Sequence, residues 1–590
     1  MRQWMVAAKK ADFYAIAEKF HVDPVVARII RNREVIGEKN IRIYLGGNLS
    51  DLSDPHQMKD MDRLVEILAQ KIRKQVHIRI IGDYDVDGVT SSHLFLTALR
   101  RVGAKVDVVI PHRIQDGYGL SLHLLQQAKE DGVDTILTCD NGIAAIDEIA
   151  WAKAQKMTVL VTDHHAVPFE EHEGRRTEKK SLADAVVNPH QQDCGYPYKE
   201  LCGAGVAWNV IRVLYENYDM DKREAEDLLD FVAMATVCDV MSLTGENRIL
   251  VKEGLKRIRH TKNIGLQALM QACNVQPENI SAYHFGYVLG PCVNATGRLD
   301  TARHALRLFE TGQETEAEEI ARDLVDLNQE RKELTLQGVE MAKKLCEEGG
   351  YENDPILVLF LPDVHESIAG LIAGRIREMY NRPVFVLTRG EEGVKGSGRS
   401  TENYSMYENM CGCAELFTKF GGHPMAAGLS LPEENVEKFR RKINENCPLT
   451  VEEVCPDIHI DMAMPVGYAS TELVHQFALL EPFGKDNPSP LFADRNLSIS
   501  RMWVIGKNRN VLRMSVLSEY GQPVPVIFFG DVETLFAYFT EKFGQEEVEN
   551  ALHGRKNRIL FSMVYTAKID FYQGNENLQL EMKYLSLIHI

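Results

Sequence analysis

Between about Val76 and Val240 the chain alternates short apolar runs with stretches of helical spacing. The runs VHIRIIG, KVDVVIP, DTILTCD and MTVLVTD are rich in β-branched residues, and SSHLFLTALRRVG and AIDEIAWAKAQ lie among them. Short buried strands separated by helices imply a parallel sheet with helices on both faces. Ligands of such sheets collect beyond the carboxyl ends of the strands, where the loops converge. The acidic residues of this region fall at those ends.

Four element ends carry the chemistry. Gly82-Asp83-Tyr84-Asp85-Val86-Asp87-Gly88 follows one apolar run and precedes a helix. If this segment is extended, its three carboxylates project toward one region, and their repulsion is costly unless cations neutralise it. Asp140 closes a second run, Asp163-His164-His165 closes a third, and Asp239 ends an apolar helix-like stretch. A lone Asp at such an end is most simply a cap or turn residue. An EF-hand loop is the other bland reading, but Leu94 stands where its Glu would be. Four acidic ends in one α/β unit fit a metal centre better. Oxygen donors with one or two imidazoles suit Mg²⁺ or Mn²⁺. Two such ions, roughly 3.5–4 Å apart, activate a water and stabilise the attacking and leaving oxygens of a phosphoryl centre. The expected reaction class is metal-assisted phosphoester hydrolysis.

At 590 residues the chain exceeds the roughly 250–300 that one core supports, so about three domains are expected. From Glu224 to Gly349 it reads as helical. The last part, from Thr315, has no proline and one interior glycine, Gly338, and stops on Gly349-Gly350. A long helix joining two lobes fits it; a coiled-coil partner helix is the alternative. A second α/β pattern begins at PILVLFLP, and after PDIHIDMAM the pattern becomes short strands with turns, suggesting a small barrel such as an OB-fold. The first twenty residues lack a signal peptide's apolar run, and no stretch approaches the roughly 18 apolar residues of a membrane span. Eleven cysteines without a CxxC pair read as buried or idle thiols of a reducing cytoplasm. The net charge of −18 argues against nucleic acid, unless many acids surround cations or lie on a remote face.

GDYDVDG, TCDNGI, TDHH and the later CDV resemble, in order and spacing, the four motifs of the DHH phosphoesterase family. Within it the chain is most similar to the RecJ branch of 5′→3′ single-strand-specific exonucleases, from about Val76 to about Tyr572. The resemblance implies an α/β fold: a parallel-sheet DHH domain, a second α/β DHH-associated domain joined by a long helix, and a C-terminal OB-like β-barrel. It divides the chain into an N-terminal helical region (1–65), the DHH domain (66–245), a helical region with the connecting helix (246–350), the DHH-associated substrate-binding domain (351–450) and the OB-fold (451–585).

It also implies roles. Asp85 and Asp140 would hold one of two divalent cations, Mn²⁺ or Mg²⁺, with Asp140 bridging; Asp87, His164 and Asp239 would complete the second site. His165 would stabilise charge or donate a proton at the scissile phosphate, and Asp163 would orient the imidazoles. Many members carry a His where this chain has Ile81, and Asp83 could supply the missing ligand. Asn294-Ala295-Thr296-Gly297-Arg298 resembles a family segment whose Arg contacts phosphate. Gly396-Ser397-Gly398-Arg399-Ser400 resembles a phosphate clamp, and Gly421-Gly422-His423 the GGH motif. Arg298, Ser397, Arg399 and His423 are thus candidate substrate contacts, against plain turns and surface ion pairs as the alternative. LEPFGKDNP resembles the entry to the OB-fold, where Trp503, Lys507, Arg509, Arg513, Phe528 and Phe529 are candidates for strand binding. For any one of them a core aromatic or solvated cation is the simpler reading.

The substrate implied is single-stranded DNA with a 5′ end, in cytoplasmic repair and recombination, with a helicase and a single-strand-binding protein as partners and no membrane. A DHH phosphodiesterase of short oligonucleotides or small nucleotides is the competing enzyme, against which the β-rich tail speaks. An inactive binding module is the third reading, against which the intact acidic motifs speak. Gly203-Ala204-Gly205 lacks a full dinucleotide fingerprint, so close helix packing explains it more simply. No P-loop or GxSxG elbow occurs, and His365 reads as a helix-start residue.

Overall fold

The computed structural model describes residues 4–113, 116, 119–172, 175–351, 353–390, 393–506, 509–572 and 574–586. They form two compact units. One spans Asn48–Pro456; the other joins the N-terminal residues up to Gly47 with those from Asp457 onward.

The first unit is built on a five-stranded sheet. Its strands are β1 (Ile78–Ile81), β2 (Val106–Val109), β3 (Thr135–Cys139), β4 (Thr158–Thr162) and β5 (Ala185–Val187), in the order β2-β1-β3-β4-β5. Every pairing is parallel. β1 and β3 are buried along their whole length, so neither alternates apolar with exposed polar residues; the one charge, Arg79 in β1, is paired with Asp107 and Asp131. Helices α1 (Val86–Arg101), α2 (Gly203–Asn217) and α3 (Leu229–Cys238) share one core with a face of the sheet. Among the described residues no helix is long and apolar enough to cross a membrane.

After α4 (Gly290–Leu299) comes α5 (Glu314–Glu348), an unbroken helix of 35 residues. Its buried positions recur at helical spacing. Ala317, Ile320, Ala321 and Leu324 enter the core under the first sheet. Val339, Ala342 and Cys346 enter a separate core formed with β6 (Leu357–Phe360), α6 (Glu366–Tyr380) and β7 (Val384–Gly390). The helix therefore joins two lobes through its own buried face, as expected, and not through a coiled-coil partner. The second sheet adds β8 (Gly393–Arg399), β9 (Lys419–His423) and β10 (Ala426–Leu431) in the order β9-β10-β8-β7-β6. Only β6 and β7 are parallel, with α6 as their crossover. His365 caps α6, its imidazole accepting from Ser367 N.

In the second unit, strands β11 (Phe492–Ile505), β12 (Val511–Leu517), β13 (Pro523–Phe529), β14 (Leu560–Tyr572) and β15 (Asn575–Ser586) pair in a cycle. β11 pairs β12, β12 pairs β13, β13 pairs β15, β15 pairs β14, and β14 returns to β11. The helices Pro24–Asn32 and Glu38–Gly46 contribute Val25, Val26, Ile29, Ile30, Ile41 and Tyr44 to this unit's core. Arg33 grips Asp461 through two hydrogen bonds, of 2.7 and 3.1 Å. The Tyr44 hydroxyl donates to Asn487 Oδ1 at 2.7 Å, and the Asn487 amide donates to Leu480 O and Pro482 O. The LEPFGKDNP segment is thus a tight loop closed by its own asparagine. The N-terminal region read as 1–65 is divided near residue 47, because its first helices bury their apolar faces in the core formed by residues from Asp457 onward.

Candidate metal centre

The acidic side chains are fixed by element ends that meet. Asp85 is the N-cap of α1, accepting from Gly88 N at 3.0 Å. Asp87, in the first turn of α1, accepts from Gly203 N at 2.6 Å and Ala204 N at 2.7 Å. These are the free amides at the start of α2, where the helix dipole favours an anion. A Cβ on Gly203 would lie 2.6 Å from Asp140 Cβ, so this approach requires glycine. Asp140 follows β3 with φ 61°, and Asp239 is the C-cap of α3.

These ends bring ligand atoms together. The side chains of Asp83, Asp85 and Asp140 each offer an oxygen within 4.8 Å of the others, and a carboxylate oxygen from each of Asp87 and Asp239 gathers with an imidazole nitrogen of His164 at the same spacing. Asp140, His164 and His165 form a third such group, so Asp140 stands between the two. His164 Nε2 lies 3.1 Å from Asp140 Oδ1, 3.6 Å from Asp239 Oδ2 and 3.7 Å from Asp87 Oδ2. Asp83, Asp87 and Asp140 are almost wholly buried. Burial pushes the Asp83, Asp85 and Asp140 carboxyls above their ordinary range, and the neighbouring carboxylates push them further. Asp83 Oδ1 is buried without a hydrogen-bond partner. Buried carboxylates that repel one another, with an oxygen left over, fit hard divalent cations. Burial lowers the His164 pKa, leaving a neutral imidazole able to ligate.

Asp163 points the other way. Its carboxylate accepts from Ile143 N, His164 N and His165 N, and lies 2.8 Å from His165 Nδ1. Burial alone would raise its pKa; the hydrogen bond and charge of His165 outweigh that and hold it low. The same pair raises His165 to about 9 against the effect of its burial. Ile81 is buried in a separate apolar cluster.

A cleft of about 430 Å³ lies beside the acidic loops, lined by Tyr84, Arg113, Ser367, Lys395, Ser397 and Lys419 among others. Ser397, on β8, faces it. Arg298, at the end of α4, donates to Ser367 O at 2.6 Å. Burial, then the charges of Arg113, Arg331 and Arg399, lower the Arg298 guanidinium to about 10. The Arg399 guanidinium lies over Gly370 and donates to Gly398 O. Burial likewise lowers it, with Arg377 and Arg113 adding. His423 is exposed at the end of β9, outside the cleft lining. Sequence reasoning missed Arg113, whose guanidinium lies 4.9 Å from the Tyr84 ring centre. Of the Asn294–Arg298 segment it assigned a role only to the Arg; Asn294 Oδ1 accepts from Val86 N at 3.2 Å and pins the acidic loop. Gly297 permits this, since a Cβ there would meet Tyr84 O at 2.4 Å.

In the second unit Trp503 and Arg513 are partners across β11 and β12, with the Arg501 guanidinium 5.7 Å from the Trp503 ring centre. Phe529 is exposed and Phe528 packs on the core. Arg509 lies 3.8 Å from Glu533, and Lys507 lies outside the described residues.

Models of three families match the chain: the DHH family N-terminal domain over residues 77–236, the DHHA1 domain over 353–447 and the RecJ OB domain over 460–584. The single-stranded-DNA-specific exonuclease RecJ of Haemophilus influenzae is 32% identical over 586 residues, 96% of each chain. The chain belongs to the RecJ family. The RecJ of Bacillus subtilis is 33% identical over 86% of this chain, which spans only 63% of that protein. Among solved structures, RecJ of Thermus thermophilus in complex with Mn²⁺ has the same fold, with a TM-score of 0.81 at 24% identity, covering 100% of this chain and 80% of that one.

Proposed function

We propose that this RecJ-family chain is a metal-dependent 5′→3′ exonuclease that hydrolyses phosphodiester bonds of single-stranded DNA. One observation carries the reading: two groups of ligand atoms from separate element ends are adjacent, Asp140 of one lying 3.1 Å from His164 of the other. Asp83, Asp85 and Asp140 would hold one divalent cation and Asp87, His164 and Asp239, with Asp140, a second, Mn²⁺ or Mg²⁺ by the oxygen-rich donor set. When bound, such a pair supplies an activated water and neutralises charge on the phosphate. The chain's own residues do the rest. Asp163, hydrogen-bonded to the His165 Nδ1 side of the ring, favours its protonated form, and that imidazolium would stabilise phosphate charge or donate a proton to the leaving oxygen. Arg298, Ser397 and Arg399, with the cations of the adjoining cleft, would grip the substrate's phosphates.

His423 would contribute from the edge of the same sheet. Trp503, Arg509 and Arg513, with Lys507, would offer a stacking and cationic surface to the strand. In this reading residues 66–245 carry the chemistry, 246–350 connect, 351–450 bind substrate and 451–585, with the residues up to Gly47 that complete their unit, bind the strand. The setting is cytoplasmic repair and recombination, with a helicase and a single-strand-binding protein supplying the substrate.

End-labelled oligonucleotides test the proposal. A 5′ label on single-stranded DNA should be released first and a 3′ label last, duplex should persist, and EDTA should stop the reaction. Release from the 3′ end, or equal digestion of duplex, would overturn it.

A further inference from the structure

Outside the metal centre, two thiols meet between helices. Cys273 caps the C-terminus of the helix Ile264–Ala272, and Cys292 lies in the first turn of α4. Their sulfurs are 3.7 Å apart. Asn328 of the long helix α5 donates its side-chain amide to Cys292 Sγ at 3.3 Å, and that thiol reaches Val288 O. We propose that Cys273 and Cys292 form a redox site that hydrogen peroxide converts to a disulfide and small thiols restore.

The geometry divides the roles. Cys273 is half-buried, open to a small oxidant, whereas Cys292 is 2% exposed and shielded from it. Hydrogen bonding from Cys292 favours the Cys273 thiolate, as does the nearby Lys332, while the same contact and burial disfavour ionisation of Cys292. The thiolate is the nucleophile in such chemistry. Cys273 sulfur attacks one peroxide oxygen, the O–O bond breaks, and the second oxygen leaves as water after taking a proton. The resulting sulfenic acid is attacked by Cys292 sulfur; an S–S bond forms, the S–O bond breaks, and a second water leaves with the Cys292 proton. Two thiols are oxidised by two electrons and one peroxide is reduced to two waters. The sulfurs must close from 3.7 Å to about 2.05 Å. In a reducing cytoplasm such a bond is transient, and the exposed face of Cys273 is where a small thiol would attack to reverse it.

The site is independent of the nuclease reading, and its test reads mass. The reduced full-length chain is treated with limiting hydrogen peroxide, alkylated, digested and analysed by mass spectrometry. A Cys273–Cys292 cross-linked peptide, short of two hydrogens, should form roughly tenfold faster than the exposed Cys411 is modified. Dithiothreitol should restore both thiols. In Cys292→Ser, Cys273 should stop at a sulfenic acid that dimedone traps. If Cys411 is consumed while Cys273 and Cys292 remain open to alkylation, or if the product resists dithiothreitol, the proposal fails. The wild-type measurement decides this even where the variant does not fold.

Discussion

Asp140 combines a left-handed backbone, full burial and carboxylate neighbours on both sides. Replacing it with Asn keeps the shape but removes the charge shared by both ligand groups. We expect Asp140→Asn to lower exonuclease activity about 10³-fold, the scale of roughly 4 kcal/mol of lost charge stabilisation. The metal-free variant should melt higher than metal-free wild type, because repulsion is relieved; calorimetry with and without Mn²⁺ measures this. Asp163→Asn should cost about 10–100-fold in steady-state assays, because it removes the carboxylate that orients and charges His165. A buried acid away from the metals gives a cleaner titration. Asp230 is buried, and desolvation raises its carboxyl to about 6 despite hydrogen bonds from Thr261 and Phe231 N. A folded pKa above the unfolded one favours the fold below about pH 4, and that contribution is lost as pH rises through 6. Asp230→Asn should therefore match wild type near pH 4 and exceed its stability by about 3 kcal/mol at pH 8, read from urea melts. The motif aspartates were legible because several carboxylates at strand ends have few structural uses. The amides of Gly203 and Ala204 were not, since backbone donors leave no side-chain signature.

The centre is assembled by helix ends: the start of α1, the start of α2 and the end of α3. The strand order β2-β1-β3-β4-β5 makes β1, β3 and β4 adjacent, so the loops bearing Asp83, Asp140 and His164 are neighbours. Apolar runs in the sequence revealed that these strands exist and are parallel, but spatial order depends on which helix packs where and stayed hidden. The long helix was legible in full, because 35 residues without proline have little else to do. Gly203→Ala tests the contact between α2 and the β3 loop. Overpacking of this kind costs about 1–3 kcal/mol, so the variant should melt lower and bind Mn²⁺ more weakly, by calorimetry and metal titration.

At the scale of the whole chain, the charge of −18 does not describe the site. Exposed acids such as Glu318, Glu319, Asp323 and Glu330 line the outside of α5, whereas Arg113, Lys395 and Lys419 line the cleft. Composition counts both alike. What composition and motif left unread is the union of the N-terminal helices with the C-terminal strands. A fragment 457–590 alone exposes the apolar surface that Val26, Ile29 and Ile30 cover, so it should aggregate or show broad NMR lines. Adding a peptide of residues 3–47 should sharpen them; a well-dispersed spectrum from the fragment alone would contradict this.

The same union sets a timetable. A ribosome releases the first helices some four hundred residues before their strands exist, while Asn48–Pro456 can settle in the interval. The N-terminal segment must therefore wait until residues from Asp457 onward are synthesised, so the unit it belongs to closes after Asn48–Pro456.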